Sequence, residues 1–483
     1  MSSANTLAIL PAAVLAGWGT LLLLVDVMWI RSNKALTAAL AAVGLAVTCV
    51  PVVAQLGWAG SAFDGMLNVD GFSQYMTLLF LATGLVAVAL AHDYLGRMGI
   101  ERGEYYALIL FSTAGMILMS QSGDLIVVFV GLELLSIPLY IMASLARPRF
   151  ESEEAALKYF LLGSFSSGFV VYGIALVFGA AGTTNLASIR AAWQAAQADV
   201  PLLTTGAVMI LVGLCFKVAV VPFHMWTPDV YEGSPSSAVA FMSVGAKAGG
   251  FAGLLRVFLA AFPGLAATWA PATAIVAALT MIWGNVAAIA QSNVKRMLAY
   301  SSIAHAGYLL MALPAAANSG ATTQAVGGIA FYLLAYGVSN LGAWGVVLAL
   351  ERAEGRGLSL EEYAGLLSRR PLLAGAMVVF MLSLIGVPPT AGFLAKFYLF
   401  RSVIESGYLW LALVGVVTSL VSAYYYLRLV VMMTMQSGQP EVRSETWLNA
   451  MIGLTALATL LLGLLPGQII HFAAQADLRV FFP

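Results

Sequence analysis

Lysine is scarce in this chain. Six occur in 483 residues, against 16 arginines: Lys34, Lys158, Lys217, Lys247, Lys295 and Lys396. Charge of either sign is thin at 9%, and the formal net charge is zero, which argues against nucleic acid or a strongly charged partner. Cysteine occurs twice, as Cys49 and Cys215, each inside an apolar run. Two thiols cannot hold an iron–sulfur cluster or a structural zinc, and no CxxC or HExxH spacing is present. GAAGTTN and GFAGLL lack the flanking strand and lysine of a nucleotide loop. The chain is therefore expected to carry no redox cofactor and no metal of its own.

What is abundant is hydrophobicity, at 61% of residues with a mean hydropathy of +0.93. Such a composition belongs to a polytopic membrane protein. Apolar runs near the ~20 residues needed to span a bilayer recur at 6–30, 35–57, 72–92, 105–121, 123–146, 154–180, 203–233, 237–262, 271–291, 296–314, 324–350, 371–404, 408–433 and 448–471. This predicts an all-α fold of about 14 transmembrane helices. The first run has no positive residue before it and no clear cleavage site, so it reads as a retained helix and not a signal peptide.

Positive residues give the orientation. The odd-numbered loops hold Arg31, Lys34, Arg97, Arg102, Arg147, Arg149, Lys295, Arg296, Arg352, Arg356, Arg369, Arg370 and Arg443, whereas the even loops hold only Arg190 and Arg401. The positive-inside rule puts the odd loops in the cytoplasm and both termini outside.

Two runs are too long and too interrupted for plain helices. The seventh contains KVAVVPFHMWTPDVYEGSP and the twelfth LSLIGVPPTAGFLAKFYLF. Proline removes a backbone donor, and in lipid the freed groups must meet protein or water, so such breaks line cavities. Val221-Pro222 and Val387-Pro388 are offset by 166 residues, and Gln121-Ser122 and Gln291-Ser292 by 170. These echoes suggest two five-helix repeats of opposite membrane orientation, over 105–262 and 271–433, between an N-terminal segment 1–104 and a C-terminal segment 434–483. Val-Pro is also a common dipeptide, and chance alone would account for it.

Ionisable residues stand inside the runs. Glu133 lies in GLELLSIPLYIM, Lys217 five residues before Pro222, Lys247 in SVGAKAGGF, and Lys396 after the second break. One charge at the bilayer centre costs roughly 2.5–3.5 kcal/mol on insertion scales, and such residues usually face the bundle interior and mark an ion path. Arginine keeps its proton in a protein, while a buried lysine gives it up and a nearby carboxylate helps hold it. Glu133, Lys217, Lys247 and Lys396 are thus candidate proton carriers, with His224 and His305 as relays. The plainer readings stand beside this. Glu133 and Lys217 could form a static pair, and Lys158 could pair with Glu154 at i−4. Lys295, next to Arg296, fits a topology anchor better than a relay. Arg256, Arg428 and the run Tyr424–Tyr426 fit interfacial positions.

Several stretches, GLELLSIPLYIM, ALKYFLLGS, KVAVVPFHMWTPDVYEGSP, SNVKRMLAYSSIAHAGY, GVPPTAGFLAKFYLF and YYYLR, resemble the antiporter-like membrane subunits of respiratory complex I over nearly the whole chain. The resemblance implies 14 helices, inverted five-helix repeats with a discontinuous helix each, and proton translocation coupled to quinone reduction in neighbouring subunits. It carries the family's relay onto Glu133, Lys217, Lys247 and Lys396, and less specific roles onto Lys158, Lys295, His224 and His305. NADH, FMN, iron–sulfur clusters and quinone are implied for partner subunits, with other antiporter-like and small membrane subunits and lipid as neighbours in a hetero-oligomer. The implied location is the bacterial plasma membrane. A related subunit carries a long lateral helix after its last repeat. This chain ends at Pro483, soon after the fourteenth run, so the type without that helix is expected. Its three full N-terminal runs argue against the truncated animal mitochondrial form. By the 166 offset Lys217 maps onto Ser383 and Lys247 onto Leu413, so the two halves differ in their ionisable groups. A stand-alone cation/proton antiporter of the same fold, and a passive scaffold, are the competing functions.

Overall fold

The computed structural model describes residues 3–29, 33–146, 149–318, 320–352, 355–443 and 445–478. Arg31 and Arg147 of the loop tally lie outside the described residues. An apolar segment in lipid has to pair its backbone groups within itself, so it becomes a helix. In chain order these are α1 Ser3–Met28, α2 Lys34–Gln55, α3 Gly71–Met98, α4 Gly103–Gln121, α5 Leu125–Ala143 and α6 Phe150–Ala181. A short helix, Leu186–Gln194, precedes α7, which comes in two halves, Val200–Val218 and Trp226–Gly233. Next are α8 Ser236–Ala260, α9 Ala266–Ile289, α10 Val294–Leu310 and α11 Thr322–Leu350. The chain closes with α12 in halves Pro371–Ile385 and Ala391–Glu405, α13 Leu409–Met435 and α14 Thr446–Leu464. A single hairpin among the described residues pairs Gly60–Ala62 with Leu67–Val69.

Among the described residues, eleven helices are long and apolar enough to cross a membrane. The other three runs, α4, α10 and the divided α12, are shorter or more polar. Nearly all of α4 and α10 is buried among other helices, where serine, tyrosine and histidine need not be compatible with lipid. The most central elements are α8, buried along its whole length, and α11. Toward the flanks, α1, α6 and α14 turn most of their surface outward.

Close packing of α6 on the first half of α7 depends on two glycines. A Cβ on Gly173 would come within 2.8 Å of the Gly206 carbonyl oxygen, and the reverse holds for Gly206. Small residues of this kind let two backbones approach in a membrane.

Short polar connectors fix the helix ends. The Asp124 side chain accepts from the Ile126 amide and caps α5, and Asn293 accepts from the Lys295 and Arg296 amides and caps α10. Each cap residue also makes an isolated antiparallel bridge, Asp124 with Asn185 and Asn293 with Ser359.

Two side-chain expectations fail in the structure. Arg256 is not interfacial: it is fully buried on α8 and forks onto Asp70, the cap of α3, at 2.5 and 2.6 Å, with its Nε donating to the Ser120 carbonyl at 2.6 Å. Of the tyrosine run, only Tyr424 is exposed, and Tyr425 and Tyr426 point into the core. Arg428, inside α13, reaches across to the C-terminal end of α9 and donates to the Ile289 and Gln291 carbonyls.

Candidate functional site

The breaks position the lysines. After Lys217 in its last turn, the first half of α7 ends with Ala219 in the left-handed region at φ 61°. Backbone groups freed by the break find side-chain partners: the Val221 amide donates to Thr280 Oγ1 at 3.0 Å, and Trp226 Nε1 donates to the Phe216 carbonyl at 3.1 Å. In α12 the partner is the lysine itself. Lys396, on the second half, returns its ammonium to the C-terminal end of the first half and donates to the Leu384 and Ile385 carbonyls at 3.0 and 2.7 Å. A cation there answers both the unpaired carbonyls and the negative end of the helix dipole. Ser419 on α13 accepts a third bond at 2.6 Å.

Glu133 and Lys217 come together without a direct ion pair. Lys217 Nζ donates to Ser136 Oγ at 2.8 Å and reaches the Tyr159 hydroxyl at 3.5 Å. Half-buried Glu133 accepts from Ser167. Ser136 stands three residues after Glu133, so both face the same neighbours from α5.

Lys247 follows immediately after a π-helical turn in α8, Met242–Ala246. Such turns are rare and often stand at functional sites. Its ammonium donates to the Ser302 carbonyl of α10 and lies 5.6 Å above the Tyr336 ring. Tyr336 in turn donates to Ser302 Oγ at 3.1 Å and packs on the His305 ring at 5.0 Å. Both nitrogens of His305 are engaged, Nδ1 with the Tyr332 hydroxyl at 2.8 Å and Nε2 with Tyr426 at 3.3 Å. A narrow internal cavity is lined by His305, Tyr332, Tyr336, Ser339, Ser383 and Lys396.

Hydroxyl and aromatic groups also join the two halves. Tyr159, beside Lys217, stacks on Trp226 at 4.4 Å, and Trp226 neighbours Tyr231. The Tyr231 hydroxyl lies 3.5 Å from Ser302 Oγ. Lys217, Lys247, His305 and Lys396 thus lie along one buried band, in which aromatic packing at Trp226 bridges Tyr159 and Tyr231 and the narrow cavity joins His305 to Lys396.

The remaining site candidates lie elsewhere. His224 sits on the outer side of the α7 break, 6.3 Å from the half-exposed Trp283 ring, and no described hydrogen bond joins it to the band. Lys158 pairs with Glu154 at i−4 and with Asp229, each at 2.8 Å. Arg296 has the surface position expected of Lys295, bonding Asp229 at 2.9 Å and Glu232 at 2.7 Å. Lys295 is only 2% exposed, donates to the Ser234 carbonyl at 2.8 Å and lies 3.6 Å from Glu351. A polar vestibule of about 620 Å³ connects Arg149, Lys158, Asp229, Glu232, Lys295 and Glu351.

Sequence reasoning missed Ser136, Ser167, Tyr159, Ser302, Tyr336, Tyr426, Ser419 and Glu351. A hydroxyl one helical turn from Glu133 or His305 would have found Ser136 and Ser302; the others come from other segments of the chain.

Residues 122–422 match the family model described as NADH:quinone oxidoreductase/Mrp antiporter, TM. NADH-quinone oxidoreductase subunit N of Chloroflexus aggregans is 48% identical over 466 residues, which is 95% of this chain and 94% of that one. A chain of respiratory complex I from Thermus thermophilus superimposes with a TM-score of 0.82 at 37% identity, covering 96% of this chain and 99% of the other. A chain of the Mrp complex from Dietzia sp. gives a TM-score of 0.86 at 22% identity, covering 100% and 98%, a likeness of fold. The chain belongs to the antiporter-like membrane subunits of NADH-quinone oxidoreductase.

Proposed function

We propose that the protein is a proton-translocating membrane-arm subunit of NADH-quinone oxidoreductase, moving protons along a buried Glu/Lys/His relay coupled to quinone reduction in other subunits. NADH, FMN, iron–sulfur clusters and quinone belong to those partners in this reading. The observation that carries it is the buried band from Lys217 through Lys247 and His305 to Lys396, in which lysine, histidine and tyrosine groups that can give and take a proton are spaced by a backbone carbonyl and aromatic contacts.

Glu133 acts as the control. Lys217 rests on Ser136, next to the carboxylate. A shift of its ammonium onto Glu133 forms an ion pair that holds the proton, and separation releases it toward Lys247. Lys396, held by a helix end and Ser419, is the last station. The arginine-rich loops face the cytoplasm and both termini face outward. The domain plan is two inverted repeats, 105–262 and 271–433, flanked by 1–104 and 434–483. The matched bridges at Asp124–Asn185 and Asn293–Ser359, at the starts of α5 and α10, support that symmetry.

Lys247→Arg in the assembled complex is the test. It keeps the charge and removes the exchangeable proton. Reconstituted into liposomes, the variant is expected to oxidise NADH with an artificial acceptor normally and to pump about a hundredfold more slowly, the low end for loss of a positioned proton carrier. Parent-level pumping would eliminate Lys247 as a carrier. Stand-alone antiport remains the second reading on shared fold alone, since identity to the Mrp chain is 22% against 37% to the complex I chain.

A further inference from the structure

The vestibule ends at a pair of charges that the relay does not use. Glu351, at the end of α11, and Lys295, in the first turn of α10, are each 2% exposed and 3.6 Å apart. Lys295 is tied to the Ser234 carbonyl at 2.8 Å. Glu351 Oε2 is buried and has no hydrogen-bond partner among the described residues, and the same is true of the neighbouring Ser234 and Ser236 hydroxyls. Buried polar atoms normally have partners, and an acceptor and hydroxyls left open at the inner end of a polar cavity suit a proton or water in transit. A static ion pair would instead satisfy both carboxylate oxygens, because an incompletely paired buried charge is destabilising.

The surroundings are compatible with a group that changes charge. Tyr94 of α3, Tyr363 of the loop after α11 and Arg149 of the α5–α6 loop face the Glu351–Lys295 pair, and Glu232 lies beyond Lys295. The Tyr94 hydroxyl, which accepts from the Ser236 amide at 3.3 Å, adjoins Glu351 as well, and the two tyrosines keep the site out of bulk water. From Ser234, one turn of backbone leads to Tyr231, whose hydroxyl meets Ser302, the residue that holds Lys247.

We propose that Glu351 is the proton-loading residue at the mouth of the relay, taking a proton from the vestibule and passing it, beside Lys295 and along the Ser234–Ser236 segment, toward Lys247. The step is a transfer only: the proton leaves water in the vestibule, sits on Glu351 Oε2 and departs inward, leaving the carboxylate. This rests on the relay reading above.

The test uses the whole complex in liposomes, carrying Glu351→Gln, Glu351→Asp or, as a control, Lys247→Arg. The expected Glu351→Gln phenotype is normal NADH oxidation with an artificial acceptor and pumping about a hundredfold slower. Glu351→Asp should restore most of the rate. Parent-level pumping in Glu351→Gln, with Lys247→Arg slow, overturns the loading role alone; parent-level pumping in Lys247→Arg overturns the relay itself. If Glu351→Gln does not assemble, Glu351→Leu combined with Lys295→Met decides. An assembled, normally pumping double variant makes the pair a structural tie and overturns the proposal, whereas an assembled, slow one supports it.

Discussion

The chemistry of this protein is set residue by residue, by which hydroxyl stands beside which charge. Lys217 does not touch Glu133; Ser136 holds it at 2.8 Å. A hydrogen bond to a charged group contributes about 1.5–3 kcal/mol, enough to decide where an ammonium rests. Ser136→Ala is therefore expected to leave assembly intact and to slow coupled pumping by about tenfold, with Ser136→Thr close to the parent. Pumping assays on proteoliposomes check this, and parent rates in Ser136→Ala would remove the serine from the path. The four charged stations were legible in the sequence because a charge in an apolar run is conspicuous. Tyr159, Tyr336 and Tyr426 were not, because tyrosine is ordinary in a membrane helix and only the fold brings these rings to Lys217, Lys247 and His305. Lys295 and Arg296 are adjacent and of one charge, so the chain alone could not tell which turns inward.

At the scale of elements, interruptions carry the proposed relay. The α7 and α12 breaks and the π turn in α8 each stand beside a lysine; Lys396 answers carbonyls freed by its own break, whereas Lys217 reaches Ser136 of α5 and Lys247 the Ser302 carbonyl of α10. Proline made both breaks readable in sequence, whereas the π turn, spelled Met-Ser-Val-Gly-Ala, has no signature of that kind. The ion pair of Arg256 with Asp70 serves a different purpose, tying α8 to the start of α3 with both side chains fully buried. Removing one partner of such a pair costs about 3–5 kcal/mol, while replacing both with apolar residues is often neutral. Arg256→Met should consequently reduce the amount of assembled complex in membranes, and Arg256→Met with Asp70→Leu should recover it. Blue native gels measure both, and equal loss in the double variant would argue for a role beyond packing.

For the whole molecule, the orientation proposed from the distribution of arginine can be tested directly. Ser61 lies in the exposed connection before α3 and Ser368 in the exposed connection before α12. In a variant without Cys49 and Cys215, Ser61→Cys should react with an impermeant thiol reagent from outside the cell and Ser368→Cys only after the membrane is opened; the reverse pattern would invert the topology. The global arrangement was largely visible in composition, because every apolar run coincides with a helix or a pair of half-helices. The burial order was not: hydrophobicity all round a helix is the same whether it faces lipid or other helices, so the central place of α8 and α11 needed the fold.

On α5, Ile126, Val130, Ile137 and Ile141 face outward, and Glu133 lies at the margin of that stripe, only half-buried. A carboxylate on the open flank of a bilayer protein makes a solitary chain an incomplete object, short of a wall at the place where its charge is least tolerable. Quality control in the membrane would thus have a chemical mark for unassembled copies: subunits made in excess of their neighbours should be short-lived, and their lifetime should lengthen when Glu133 is replaced by glutamine.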